Sequence, residues 1–125
     1  MQITTPVADA LGRYLDLSSL ELKLTAQNMA NVDTPGYRTV GFDFAAEMAR
    51  SLSQQSGAQG AAGGGAAGVT VGPVDGLLER PDGNNVSMDR EGLKMAEAQL
   101  QFRTGVGLLQ HEFTRVLDAI HEDQK

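Results

Sequence analysis

His111-Glu112-Phe113-Thr114-Arg115 opens like the zinc-protease pattern HExxH. In that pattern two histidines one helical turn apart hold the metal and the glutamate acts as base. Here Arg115 fills the fifth position, so one ligand is missing, and His111 reads as a solvated helix residue. His121, close to the C-terminal end, reads as exposed. Asp89, Glu91 and Glu97 could do acid–base work as paired carboxylates. With no second carboxylate cluster beside them, Asp89 and Glu91 read more simply as complements to the positive end of a helix dipole, with Ser87 as the N-cap. The run GAAGGGAAG lacks the Gly-Lys-Ser/Thr ending of a phosphate loop and reads as linker. There is no cysteine, which excludes disulfides, zinc–thiolate sites and thiol chemistry. The expectation is a protein with no catalytic residue, no cofactor and no metal.

The whole chain bounds the alternatives. Its 125 residues suit one domain, yet it has no Trp, four Phe, two Tyr and fifteen Gly, so a conventional core would be thin. A net charge of −6 argues against nucleic-acid binding, which needs a basic face, and against docking to an anionic membrane. No stretch is long and apolar enough to span a bilayer, so direct membrane insertion is not expected. The N-terminal segment lacks a basic region followed by a continuous apolar run and does not read as a cleaved secretory signal.

The elements that remain are helices at the two ends. From Thr5 to Asn31, Thr4 or Thr5 can cap a helix with Pro6 in its first turn. Leu11, Leu15, Ser18, Leu22, Thr25 and Met29 then step 4-3-4-3-4, a heptad rhythm. Leu17, Leu20 and Leu24 form a second ridge almost opposite, which predicts neighbours on two sides. From Ser87 to about Ile120 the pattern repeats through Phe102, Val106, Leu109, Phe113, Val116 and Ile120, with Met88 and Met95 extending it backwards. Leu93, Leu100, Leu108 and Leu117 lie outside that seam and add apolar surface. Gly92, Gly105 and Gly107 each cost about 1 kcal/mol against Ala in a helix interior, so this helix depends on packing.

Between the ends the material changes. Phe44 to Leu52 predicts a short helix with Phe44, Met48 and Leu52 on one side. Gln54 to Gly68 contains only Gln, Ser, Gly and Ala; nothing there offsets the entropy of ordering a backbone, which predicts a flexible loop. Val69 to Leu78 alternates weakly and predicts short strands, and Arg80 to Asn85 a turn into the last helix. At the end of the first helix, Asn31 or Asp33 is placed for a left-handed cap, and Pro35-Gly36 for the centre of a type II turn. Asn28 and Asn31 can bond freed carbonyls and turn backbone, so NMANVDTPGYR reads as a joint. The expected fold is mainly α. Its terminal helices, within 1–32 and 87–125, pair as a coiled coil, and a partly disordered middle, 33–86, holds a little β structure. Apolar flanks left on both helices would be a hazard in a monomer and an asset in a polymer.

The stretch AQNMANVDTPGYR resembles the N-terminal signature of the bacterial flagellar rod and hook axial proteins, through Asn28, Asn31, Thr34, Pro35, Gly36 and Tyr37. FDFAAEM and DGNNVSMDREGLKMAEAQLQFRTGVGLL extend the resemblance to a small proximal-rod member of that family, through Asn84, Asn85, Val86, Asp89 and Glu91. The resemblance implies that the terminal helices form the inner layer of an axial tube. It implies export through the flagellar type III apparatus without a cleaved signal peptide. It also implies a periplasmic rod that joins the MS ring to the distal rod and transmits torque. The partners implied are other flagellar rod subunits, the MS-ring protein and the hook–basal body adaptor protein. Another small rod protein of the family is the nearest alternative, and a cytoplasmic helical dimeric adaptor is the rival from a different class.

Overall fold

The computed structural model describes residues 4–57 and 68–122. In chain order the elements are α1 (Pro6–Ala30), β1 (Val40–Gly41), α2 (Phe44–Gly57), β2 (Gly72–Pro73) and α3 (Met88–Glu122). Thr5 caps α1: its hydroxyl accepts from the amide of Ala8 at 3.1 Å, and Pro6 occupies the first turn, where a missing N–H costs nothing.

The two terminal helices pack side by side and antiparallel. Thr5 meets Glu112, Leu15 meets Gly105, Glu21 meets Lys94 and Asn28 meets Glu91. α1 has 25 residues and α3 has 35, or roughly 37 and 52 Å at about 1.5 Å per residue. The pair is flush at the Asn28–Glu91 end. At the other end α3 runs on past the start of α1.

α1 packs against α3 and also against α2 and β1. Leu17 and Leu24, from the second ridge, are its most buried leucines. Burial of each such side chain contributes about 1.5–3 kcal/mol. Tyr14 stands edge-to-face on Phe44, with ring centroids 5.4 Å apart, and fixes α2 against α1.

The middle departs from expectation at one boundary. α2 does not end near Leu52 but continues to Gly57, so residues 54–57 are helical rather than loop. Gln55 donates to the carbonyl of Pro6 at 3.1 Å, and Ser53 and Ser56 bond back to carbonyls three residues earlier. A tertiary contact thus stabilises a segment whose composition alone favours coil. The remainder of the expected loop, 58–67, lies outside the described residues. Beyond it, Glu47 accepts from the amide of Thr70 at 3.2 Å and Arg50 donates to the carbonyl of Gly68 at 2.9 Å. The predicted β structure is a two-residue antiparallel pairing, Val40 with Pro73 and Gly41 with Gly72.

Candidate functional site

The end of α1 and the approach to α3 lock together through polar groups. Asn28 sits in the last turns of α1 and is 1% exposed. Its amide nitrogen donates to the carbonyl of Val40 at 2.9 Å and to Glu91 Oε2 at 3.0 Å. Its oxygen accepts from the amide of Val40 at 3.0 Å and from the hydroxyl of Tyr37 at 3.1 Å. Both donors and both lone pairs of one amide are therefore used, which exhausts its capacity. Glu91, equally buried in the first turn of α3, gives its second oxygen to Arg90 at 3.1 Å. Its role is thus tertiary as well as local. Asp89, in the same turn, is exposed.

Three residues further along, Asn31 closes the helix. Its amide donates to the carbonyl of Gln27 at 2.8 Å, and its side-chain oxygen accepts from the hydroxyl of Thr34 at 3.1 Å. The expected left-handed cap is not used: Asn31 has φ −103°, and among the described residues only glycines adopt positive φ. The side-chain bonds satisfy the helix end without the strained backbone. The type II turn is as expected. Tyr37 N–H donates to the carbonyl of Thr34 at 3.2 Å, and Gly36 takes φ +74° at the position that needs it.

The second signature grips this turn from outside. Asn84, fully buried, donates to the carbonyls of Asn31 at 2.9 Å and Thr34 at 2.8 Å, and its oxygen accepts from the amide of Val86 at 2.8 Å. Asn85 accepts from the amide of Thr39 at 2.7 Å and donates through its own backbone N–H to the carbonyl of Tyr37 at 3.4 Å. Gly36 N–H donates to the carbonyl of Asp82 at 2.9 Å, so two turns meet backbone to backbone. Arg80 reaches the carbonyl of Val32, and Arg38 pairs with Glu79. Val86 is buried, while Thr34 and Pro35 stay exposed. Two segments about 50 residues apart in sequence thus form one clasp. An unpaired buried polar group costs about 1–3 kcal/mol, so the clasp is close to all-or-none.

The apolar seam falls differently from its prediction. The residues of α3 that are covered are Glu91, Ala98, Gly105 and Glu112, seven apart. A Cβ built on Gly105 would lie 2.8 Å from Leu15 and 3.0 Å from Tyr14, so the glycine permits the close approach of α1. Leu11, Leu15, Leu22 and Met29 are half-buried, as are Val106, Leu109 and Val116. Phe113 and Ile120 are about half exposed within one chain, and Phe102 is 37% exposed. The heptad is real, but the line buried within the chain is its small and polar neighbour. Short side chains let backbones approach where bulky ones would hold them apart.

The residues with catalytic potential are placed plainly. His111 and His121 are exposed. Glu112 is buried and accepts from the hydroxyl of Thr5 at 2.9 Å, with Arg115 at 3.6 Å on its other oxygen. Among the described residues no group of three or more His, Cys, Asp or Glu could hold a metal ion, and no helix is long and apolar enough to cross a membrane. Sequence reasoning missed Thr39, the Thr5–Glu112 link and the tertiary role of Glu91. The recurrence of Glu91, Ala98, Gly105 and Glu112 at one heptad position was the signal available for the last two.

No protein-family model matches the chain. Individual relatives do. A flagellar basal body rod protein FlgB of Cereibacter sphaeroides is 33% identical over 124 residues, covering 93% of this chain and 97% of that protein. The Salmonella typhimurium strain LT2 protein of the same name is 30% identical over 119 residues, covering 85% and 86%. That of Borrelia hermsii is 28% identical over 130 residues, covering 93% and 96%. With alignments of this extent spanning both terminal helices and the clasp, the chain belongs to the family of flagellar basal body rod proteins FlgB, structural proteins of the bacterial flagellum.

Proposed function

We propose that this chain is a structural subunit of the proximal rod. It assembles with copies of itself and with other rod subunits through its terminal helices, and so links the MS ring to the distal rod and carries torque. The hook–basal body adaptor protein is a further neighbour, and the subunit reaches the periplasm through the flagellar type III export apparatus. No step in this role requires catalysis or a cofactor.

One observation carries the reading. α3 exposes Leu93, Leu100, Phe102, Leu108, Phe113, Leu117 and Ile120 along a helix that, among the described residues, only one neighbouring helix covers. A monomer gains nothing from so much bare apolar surface, whereas a subunit of a polymer buries it on assembly. The clasp complements this, because it fixes the α1–α3 geometry on which a repeating contact depends. Leu11, Leu15, Leu22 and Met29 with Phe102, Val106, Leu109, Phe113, Val116 and Ile120 are then the assembly seam, shared between subunits.

The test is complementation of a strain lacking FlgB. The native chain should restore motility. Phe113→Asp, at a position 51% exposed, should leave the purified chain's stability within about 0.5 kcal/mol and yet abolish motility. Normal swimming by that variant, at normal protein levels, would remove Phe113 from the seam.

A further inference from the structure

The chain holds two Asp-Gly dipeptides, Asp75-Gly76 and Asp82-Gly83. In such a dipeptide the glycine's backbone nitrogen can attack the aspartate's own Cγ, because no Cβ on the glycine shields that nitrogen. The fold treats the two copies differently. Gly83 N–H donates to the carbonyl of Arg80 at 2.9 Å, and a Cβ built on Gly83 would lie 3.4 Å from Gly36 Cα. Asp82 is held as well: its Oδ1 accepts from the amide of Asn84 at 3.0 Å, and its carbonyl accepts from Gly36 N–H at 2.9 Å. The Gly83 nitrogen therefore cannot swing over the carboxyl carbon unless the clasp opens. Asp75 and Gly76 are exposed, in the connector that follows β2. The connector is anchored on both sides, by Val74 N–H on the carbonyl of Thr39 and by Arg80 N–H on the carbonyl of Asn84, each at 2.8 Å. Between these anchors, neither the Asp75 carboxylate nor the Gly76 N–H has a hydrogen-bond partner among the described residues. Nothing lies within 4 Å of a Cβ built on Gly76.

We propose that Asp75 is a site of spontaneous isoaspartate formation in the folded chain, and that the clasp protects Asp82 from the same reaction. The Gly76 nitrogen gives up its proton and bonds to Asp75 Cγ, and the hydroxyl of the carboxyl group leaves, protonated, as water. The product is a five-membered succinimide. Water then adds to one of the two ring carbonyls, and the bond from that carbon to nitrogen breaks. Breaking the bond to Cγ restores aspartate. Breaking the bond to the original peptide carbon leaves the chain running through Cβ and Cγ, with the old peptide carbon as a free carboxylate. One water leaves and one returns, so the reaction needs no oxidant, reductant or other co-reactant. The extra main-chain atom falls between the Val74 and Arg80 anchors, so the connector takes it up while the clasp stays shut. None of this depends on the rod-subunit reading; it requires only the exposed connector and the closed clasp.

The purified full chain is aged at neutral pH and growth temperature, folded in one sample and in guanidinium in another. Cleavage after Glu79 places the two dipeptides on different peptides, and electron-transfer fragmentation distinguishes isoaspartate from aspartate in each. In the folded chain, isoaspartate at 75 should exceed that at 82 by at least about tenfold, because reaction at 82 waits for local opening of the clasp. In guanidinium the two sites should convert at similar rates. Gly76→Ala should slow conversion at 75 several-fold and leave that at 82 unchanged. Equal conversion of the two sites in the folded chain overturns the proposal. So does a folded chain with no isoaspartate at 75 by the time the denatured chain has formed it. An excess at 75 that is equally large in guanidinium overturns it too, because neighbouring residues rather than the fold then set the difference. Undiminished conversion in Gly76→Ala would show that the reaction does not pass through the unshielded glycine nitrogen, and the assignment fails.

Discussion

The two ends of the α1–α3 pair are built on opposite terms. At one end Asn28, Glu91, Asn84 and Asn85 are buried and bonded to neighbours in the same chain. At the other end, past Thr5 and Glu112, α3 carries Phe113, Leu117 and Ile120 into solvent. Directional hydrogen bonds fix the first end, and each donor there has a single geometry that satisfies it. Non-directional apolar surface dominates the second, and it accepts any partner of the right shape. The two ends of one helix pair thus differ in kind: one is closed by polar bonds within the chain and the other leaves apolar side chains uncovered.

The largest effect should come from breaking the closed end. Asn28→Ala strands the buried carboxylate of Glu91, the backbone of Val40 and the hydroxyl of Tyr37. A loss of about 3–5 kcal/mol is expected in chemical denaturation of the purified chain. A loss under about 1 kcal/mol would mean that water replaces the amide and the clasp is not cooperative.

Next in size is the close crossing midway between the ends. Gly105→Val puts a branched side chain where a Cβ would already stand 2.8 Å from Leu15, and should cost about 1–3 kcal/mol. An unchanged midpoint would show that α1 can retreat without penalty.

Thr5→Ala probes the last link before α3 runs on past α1. It removes both the cap on Ala8 and the bond to Glu112, for about 1 kcal/mol. Hydrogen exchange should show faster opening of the first turn of α1, with the clasp amides unmoved; loss of protection at both ends together would merge what the comparison separates.

The smallest effect has the opposite sign. Nothing lies within 4 Å of a Cβ built on Gly107, so Gly107→Ala should stabilise the chain by about 0.5–1 kcal/mol. The contrast with Gly105 sharpens the point: two glycines in one helix, two residues apart, with opposite responses.

Much of the local structure was legible. The Thr5 cap, Pro6 in the first turn, the Pro35-Gly36 turn and the Ser87 cap follow from residue types whose backbone preferences act within a few positions. Asn28 and Asn31 were readable as a joint because short amides compete for backbone groups wherever a helix ends. The identity of the bonds was not readable. Nothing in the spacing pairs Asn84 with the carbonyls of Asn31 and Thr34, which lie about 50 residues earlier. The helical end of α2, residues 54–57, was equally hidden, since it depends on Gln55 reaching Pro6.

By itself, then, the sequence determined where the long helices run, where they cap and turn, and that apolar side chains recur on them every seven residues, because those properties arise from interactions within one or two turns. Only the tertiary structure decided which heptad line is covered and which is left bare. That choice depends on how closely two backbones approach, and Gly105 and Ala98 let α1 come near enough to bury a stripe of small and polar residues while Phe113 and Ile120 stay exposed.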